Sequence, residues 1–193
     1  MQPKTPKISV IIPTHQEEKY IAKTLSKLTN IKPTIEILVV DGGSRDNTVK
    51  IAKQFTNKVY QIQERGISKA RNYGAKKANG DILVFLDADV HPPQDFTEKI
   101  FETFNDPTVV GATCQIMPTK SKLAELAFFH FYNLLIQIFT KFKPHSRGEF
   151  LAARKNDFLK VNGFNENIPC LEDHDLAQRL SKRGKFIFIR DLT

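Results

Sequence analysis

Leu83-Val84-Phe85-Leu86-Asp87-Ala88-Asp89-Val90-His91 begins as an unbroken apolar run and ends in two carboxylates one residue apart, with an imidazole two residues further on. A short run of this kind reads as a strand buried on both faces. On a backbone that stays extended, alternation puts Asp87, Asp89 and His91 on one side and Ala88 and Val90 on the other. Hard divalent cations take oxygen ligands, and Mg²⁺ is usually shared between one or two carboxylates and substrate phosphates. The stretch therefore predicts a metal-dependent enzyme acting on a phosphorylated donor. The plainer alternative is a strand end carrying solvated turn acids.

Outward from this stretch, strand and helix patterns alternate. Ile8 to Ile12 is a short β-branched run, and Tyr20, Ile21, Thr24, Leu25 and Leu28 then recur at helical spacing. Ile35 to Val40 forms the next strand and stops at Asp41-Gly42-Gly43-Ser44, with a helix starting near Asp46. Val59 to Gln63 reads as a weaker strand, Ile67 to Ala78 as a helix ended by Asn79-Gly80, and Ile82 to Leu86 as the strand that carries the acids. Continuously apolar strands separated by helices predict an α/β fold, a mostly parallel sheet covered on both faces. Ligands of such sheets gather at the carboxyl ends of the strands, where Pro13, Asp41 and Asp87 all fall.

Composition sets looser bounds. One domain is the default for 193 residues, long enough for a substantial core. The formal charge of +8 suits nucleotide phosphates or an anionic membrane surface, and no Lys/Arg run is long enough for a nucleic-acid tail, so no nucleic-acid partner is expected. Cys114 and Cys170 are far apart and outside any CxxC pattern, which favours reduced thiols in a cytoplasmic setting. Met1-Gln2-Pro3-Lys4 lacks the apolar core of a signal peptide.

Six motifs in order carry a resemblance. Ser9-Val10-Ile11-Ile12-Pro13-Thr14-His15-Gln16-Glu17, then Val39-Val40-Asp41-Gly42-Gly43-Ser44-Arg45-Asp46-Asn47-Thr48, then Gly66-Ile67-Ser68-Lys69-Ala70-Arg71-Asn72 and Asp87-Ala88-Asp89 are followed by Gly163-Phe164-Asn165-Glu166 and Leu171-Glu172-Asp173-His174-Asp175-Leu176. Together they resemble family 2 inverting glycosyltransferases, including polyprenyl-phosphate sugar synthases. The resemblance implies a GT-A (Rossmann-like) fold: a nucleotide-binding half over about residues 1–91 and a smaller acceptor-binding half over 92–193, within one domain. It also implies transfer of a sugar from a nucleotide-diphosphate donor to a hydroxyl or a lipid-linked phosphate, assisted by Mg²⁺ or Mn²⁺.

Carried over residue by residue, the resemblance places Pro13, Thr14, Glu17 and Asp41 at the nucleoside, with Asp41 on the base or ribose. Asp87 and Ala88 would reach the ribose or the metal shell, Asp89 and His91 would hold the cation, and Asp173 would be the general base. Arg71, with Lys69, would add positive charge on the donor side; the alternative for both is a solvated helix face. Departures from the family pattern are Gly42, where many members carry a second acid, Gln16 in place of Asn, and His15 in place of an aromatic. Relatives continue past the strand-like Phe186 to Thr193, so part of the acceptor side is expected to lie beyond this chain.

Leu123 to Phe142 is an amphipathic helix pattern. Glu125, His130, Asn133, Gln137 and Lys141 occupy one half of the wheel, and Phe128, Phe131, Tyr132, Leu135, Ile138, Phe139 and Phe142 the other. Five polar residues argue against a spanning helix. The expectation is that the aromatic face packs on its own domain. The alternative is a helix lying in a membrane interface, which would imply peripheral association and a lipid-linked acceptor. Arg147 and Arg154 are candidates for an acceptor phosphate, with plain surface arginines as the alternative, and Gly184 reads as a helix C-cap. Two rival functions are a non-catalytic nucleotide-sugar-binding module and a haloacid-dehalogenase-type phosphohydrolase. The latter also ends an apolar strand in Asp-x-Asp, but at the opening of its fold.

Overall fold

The apolar runs assemble into one seven-stranded sheet of order β3-β2-β1-β4-β6-β5-β7 in a computed structural model that describes residues 7–32, 35–118, 122–190 and 192. For residues 124, 141 and 142 only the backbone is described. The expectations placed on Met1 to Lys4, on the side chains of Lys141 and Phe142, and on Asp191 and Thr193 lie outside the described residues.

In chain order the elements are β1 (Ile8–Thr14), α1 (Ile21–Thr29), β2 (Glu36–Asp41), α2 (Thr48–Ala52), β3 (Val59–Gln61), α3 (Ile67–Lys77) and β4 (Ile82–Leu86). They continue as α4 (Phe96–Asn105), β5 (Val109–Cys114), α5 (Leu123–Phe142), β6 (Phe150–Arg154), α6 (Lys155–Lys160), α7 (Glu172–Ser181) and β7 (Lys185–Ile189). β6 alone runs against its neighbours, β4 and β5; the pairs β1–β2, β1–β4, β2–β3 and β5–β7 are all parallel. The chain adds β2 and β3 on one side of β1, then crosses over to place β4 on the other. The carboxyl ends of β1 and β4 therefore flank a switch point, where an open α/β sheet leaves a crevice. The Asp-x-Asp stretch ends the fourth strand in the chain rather than opening the fold, unlike the arrangement of the phosphohydrolase alternative.

Both sheet faces are covered, which is why the strands are apolar without interruption. Val10, Ile12, Val84 and Leu86 join one core with Leu25 and Leu28 of α1 and Phe96, Ile100 and Phe104 of α4. Ile11, Leu83 and Phe85 point into the other, with Phe158, Phe164, Leu176 and Leu180. The Phe85 ring meets those of Phe158 and Phe164 at 5.1 and 4.9 Å between centroids. A fully buried side chain of this size stabilises the fold by roughly 1.5–3 kcal/mol. α3 lies close on β1 because Gly74 has no side chain: a Cβ there would sit 2.4 Å from Ile11 Cγ2.

Several elements differ from the sequence reading. β3 is shorter than expected. α4 and β5 form where no element was read; α4 buries Phe96, Ile100 and Phe104 at i, i+4 and i+8. Gly184 is not the C-cap of α7, which is Lys182. It sits instead where a Cβ would be 2.5 Å from the Thr108 carbonyl. Both cysteines are free, Cys114 buried and Cys170 exposed.

Candidate active site

A cleft of about 360 Å³ opens at the carboxyl ends of the central strands. β1 and its following loop supply Pro13, Thr14, His15 and Glu17; the β2 end supplies Gly42. Arg65 and the start of α3 (Gly66, Ile67, Ala70) form another wall, and Asp87, Ala88 and Asp89 follow β4. Two loops are locked together behind it. Gln16, in the left-handed region at φ 63°, donates its N–H to Ser44 Oγ at 2.8 Å, and Glu17 N–H donates to Thr48 Oγ1 at 2.8 Å.

Asp41 organises that lock. Its carboxylate is fully buried and accepts hydrogen bonds from Thr14 Oγ1 (3.1 Å), the Gly43 and Ser44 amides (3.0 and 2.9 Å) and the Ser44 hydroxyl. A carboxylate has about four acceptor positions, so these donors use them all. Asp41 is thus buried at the end of β2 and is not among the residues that line the cleft. Gly42 beside it lines the cleft, and a Cβ there would find its nearest neighbour, Thr14 O, at 3.7 Å.

Asp87 to Val90 is a turn, not an extended strand end: Val90 N–H donates to the Asp87 carbonyl at 3.2 Å, and Asp87 N–H to the Glu149 carbonyl at 3.2 Å. The expected common side for Asp87, Asp89 and His91 is corrected accordingly. Asp87 lines the first cleft, His91 lines a second cavity of about 480 Å³, and Asp89 stands between them and lines both. The second cavity also carries Glu149 and a largely apolar wall that includes Phe96, Met117 and Phe129.

The acids of the turn crowd one another. Burial, then the neighbouring charges of Asp89 and Asp46, raises the Glu17 carboxyl. Burial pushes Asp87 up to about 6, opposed by Arg71 and reinforced by Asp89 and Glu149. His91 is lowered by burial and by Lys23 and Lys27, which favours a neutral ring. Its Nδ1 lies 2.7 Å from the Asp89 carbonyl, so Nδ1 is the donor and Nε2 carries the lone pair. Nε2 is buried and has no hydrogen-bond partner among the described residues. A buried imidazole nitrogen without a partner, in a cavity that Asp89 also lines, fits a divalent cation. No three-residue metal cluster occurs among the described residues.

Arg71 is not on the cleft surface. It is 1% exposed; Nη2 donates to Asp87 Oδ1 at 2.9 Å and to the Gly148 carbonyl at 2.6 Å, and Nη1 donates to Glu172 Oε1 at 2.9 Å. Lys69, on the exposed side of α3, pairs with Glu64. Asp173 lies in the first turn of α7, 6% exposed, its carboxyl raised by burial against the lowering charge of His174. The preceding Leu171 is held at φ 63°, a conformation that costs an L-residue roughly 1–2 kcal/mol. Asp175 is bound to Arg179 at 2.9 and 2.6 Å. Arg154 donates to the carbonyls of Phe104, Asp106 and Val109, so it serves the fold and not an acceptor phosphate. Arg147 is buried against Asn133, Glu149 and the Tyr132 ring.

α5 reverses the expected orientation. Only the middle of its polar stripe is inward: Asn133 is 5% exposed, bound to the Ile116 carbonyl (3.0 Å) and to Arg147 Nη1 (2.8 Å), whereas Glu125 and His130 of the same stripe are exposed. Phe128, Phe131, Leu134, Ile138 and Phe139 face outward, each more than 40% exposed. The inward turn is possible because buried polar groups here find partners, which removes the usual penalty for burying them.

Cleft residues that the sequence reading missed are Arg65 and Glu149, neither within a motif; Glu172 was read only as the neighbour of Asp173.

The mostly parallel seven-stranded sheet with helices on both faces is a GT-A fold, as its structural neighbours show. The chain belongs to glycosyl transferase family 2, whose family model matches residues 9–163. It is 41% identical over 107 residues to a dolichyl N-acetyl-alpha-D-glucosaminyl phosphate 3-beta-D-2,3-diacetamido-2,3-dideoxy-beta-D-glucuronosyltransferase of Methanococcus voltae, covering 50% of this chain and 33% of that protein. It is 37% identical over 140 residues to glycosyltransferase AglE of Haloferax volcanii, covering 67% of this chain and 46% of that protein. The chain thus spans less than half the length of these relatives. Among solved structures, the mannosyltransferase PcManGT of Pyrobaculum calidifontis, in complex with GDP-Man and Mn²⁺, superposes with a TM-score of 0.82 at 24% identity. That superposition covers 97% of this chain and 56% of the other.

Proposed function

We propose that this chain is the donor-binding and catalytic portion of an inverting, metal-assisted glycosyltransferase. The observation that carries the reading is the convergence of Glu17, Asp87 and Asp89 on one cleft at the switch point of a family 2 sheet. Pro13, Thr14, Glu17, Asp87 and Ala88 bind the nucleotide sugar directly, while Asp41 and Arg71 act from behind the wall. Asp89 and the Nε2 of His91 hold Mg²⁺ or Mn²⁺. When bound, the cation stabilises negative charge on the departing diphosphate.

The reaction needs one proton acceptor and no nucleophilic side chain. The bond from the anomeric carbon to the diphosphate oxygen breaks, its electron pair leaving with the nucleoside diphosphate. The acceptor oxygen forms the new bond on the opposite face. A hydroxyl acceptor passes its proton to the Asp173 carboxylate, whose raised affinity for a proton suits a general base. A phosphate acceptor arrives already ionised, so dependence on Asp173 distinguishes the two acceptor classes.

The outward aromatic face of α5, with exposed Lys122 and Lys143 at its ends, supports seating on an anionic membrane surface and a lipid-linked or glycan acceptor. No helix among the described residues is long and apolar enough to cross a membrane. The reading places the protein at the cytoplasmic face. A thermal-shift screen with GDP-mannose, UDP-N-acetylglucosamine and other nucleotide sugars, with and without Mn²⁺ or Mg²⁺, tests the function. A ligand at about 100 times its dissociation constant stabilises by roughly 2.7 kcal/mol. Metal-dependent stabilisation by at least one nucleotide sugar is expected, and none from the whole set contradicts the reading. Binding without any turnover would favour the non-catalytic module.

A further inference from the structure

Arg71 links three segments that are distant in sequence. Through one guanidinium, α3 is joined to the turn after β4, to the approach to β6 and to the first turn of α7. The Gly148 carbonyl it holds precedes Glu149, whose own carbonyl receives the Asp87 N–H at 3.2 Å, so turn and approach form a closed set. Nη1 and Nη2 serve different acceptors, a division that the planar fork of arginine permits and a lysine ammonium cannot reproduce. The ring of Phe164 lies 5.2 Å from the guanidinium carbon.

We propose that Arg71 is a positioning residue that sets the distance between the donor turn and the base-bearing start of α7, with Glu172 as its anchor on the acceptor side. This rests on the glycosyltransferase reading. Glu172 then is neither acid nor base in the reaction. Its carboxylate is committed to Arg71, and the adjacent Asp173 is the residue assigned as base. Asp87 Oδ1 likewise accepts from Arg71 Nη2, so its position in the cleft depends on the same guanidinium. Donor pocket and base are thereby held in one geometry, although 101 residues separate Arg71 from Glu172.

Glu172→Gln and Arg71→Lys in the full chain, singly and together, test the link. Calorimetry with UDP and GDP in Mn²⁺ reads donor-side binding, and steady-state transfer from the nucleotide sugar selected by the thermal-shift screen reads turnover. Glu172→Gln is expected to keep nucleotide affinity and donor KM within about threefold while kcat falls about tenfold or more, since small misplacements of reacting groups cost rate before affinity. Arg71→Lys is expected to lose more, and the double variant no more than Arg71→Lys alone, because both remove one link. A Glu172→Gln enzyme with unchanged kcat, or losses that appear equally in donor KM, would overturn the proposal. Hydrogen exchange supplies a readout independent of activity: amides of the first turn of α7 should exchange faster in Glu172→Gln while the strands stay protected. Unchanged exchange there also overturns it. A wild-type protein that binds no nucleotide would sink the glycosyltransferase reading and leave the exchange result to decide the link.

Discussion

Arg147 Nη1 donates to Asn133 Oδ1 at 2.8 Å on the inner side of α5, and its guanidinium carbon lies 5.0 Å from the centroid of the Tyr132 ring. This pair holds Asn133 toward the domain, beside Ile136, and leaves Phe128, Phe131 and Phe139 outside. Thr140, which donates to the Ile136 carbonyl at 2.7 Å, lies on the same inner side.

Polar replacement of Phe128, Phe131 and Phe139 is therefore expected to cost little stability. Surface substitutions usually stay within about 0.5 kcal/mol each, whereas truncating a core Phe costs about 3–5 kcal/mol. The same variant should lose co-sedimentation with vesicles containing anionic lipid. Denaturant unfolding and sedimentation, run side by side, check both halves. A large loss of stability with no change in vesicle binding would show that the face is packed after all.

At the opposite end of the sheet, Glu36 gathers Ser9, Lys58 and both the amide and side chain of Asn79. Burial alone would raise its carboxyl, but these hydrogen bonds outweigh burial and hold it at about 2. A carboxyl lowered from 4.5 on folding stabilises the native state above its unfolded value, and that stability is lost as pH falls from 4.5 toward about 2. Glu36→Gln should lower the melting temperature at pH 7 and flatten the decline in stability between pH 4.5 and 2. A variant as stable as wild type at pH 7, with the same acid dependence, would remove Glu36 from this role.

Asp173→Asn should leave nucleotide-sugar binding nearly unchanged and reduce transfer to a hydroxyl acceptor by about 10²–10⁴-fold, the usual worth of a general base. Asp175→Asn should be mild, because that carboxylate is occupied by Arg179. Parallel kinetics on the two variants check the assignment. Sensitivity at Asp175 with tolerance at Asp173 would place the base one residue pair further along α7.

How far the sequence reaches is clearest at β4 and α5. The β4 strand is legible because burial on both faces leaves an unbroken apolar run. Its end is not, because alternation presumes an extended backbone while the Val90–Asp87 hydrogen bond closes a turn. The bounds of α5 follow from periodicity, but periodicity only divides a helix into two faces. Which one turns inward depends on Arg147 and the Ile116 backbone, partners that no local pattern reveals. Asp41 is similar: its place at a strand end is legible, whereas its saturation depends on Thr14, 27 residues away.

The central claim is that Asp89, between the two cavities, helps hold a cation against the donor diphosphate. Calorimetric titration of nucleoside diphosphate into wild type and Asp89→Ala, each with Mn²⁺ and with chelator, tests it most directly. The account expects metal-dependent binding by the wild type and its loss in Asp89→Ala, with the melting temperature of the metal-free protein kept, since the turn places this carboxylate outside the packed core. His91→Ala should weaken the metal dependence by less. Asp89→Ala protein that retains wild-type, metal-stimulated affinity would contradict the account.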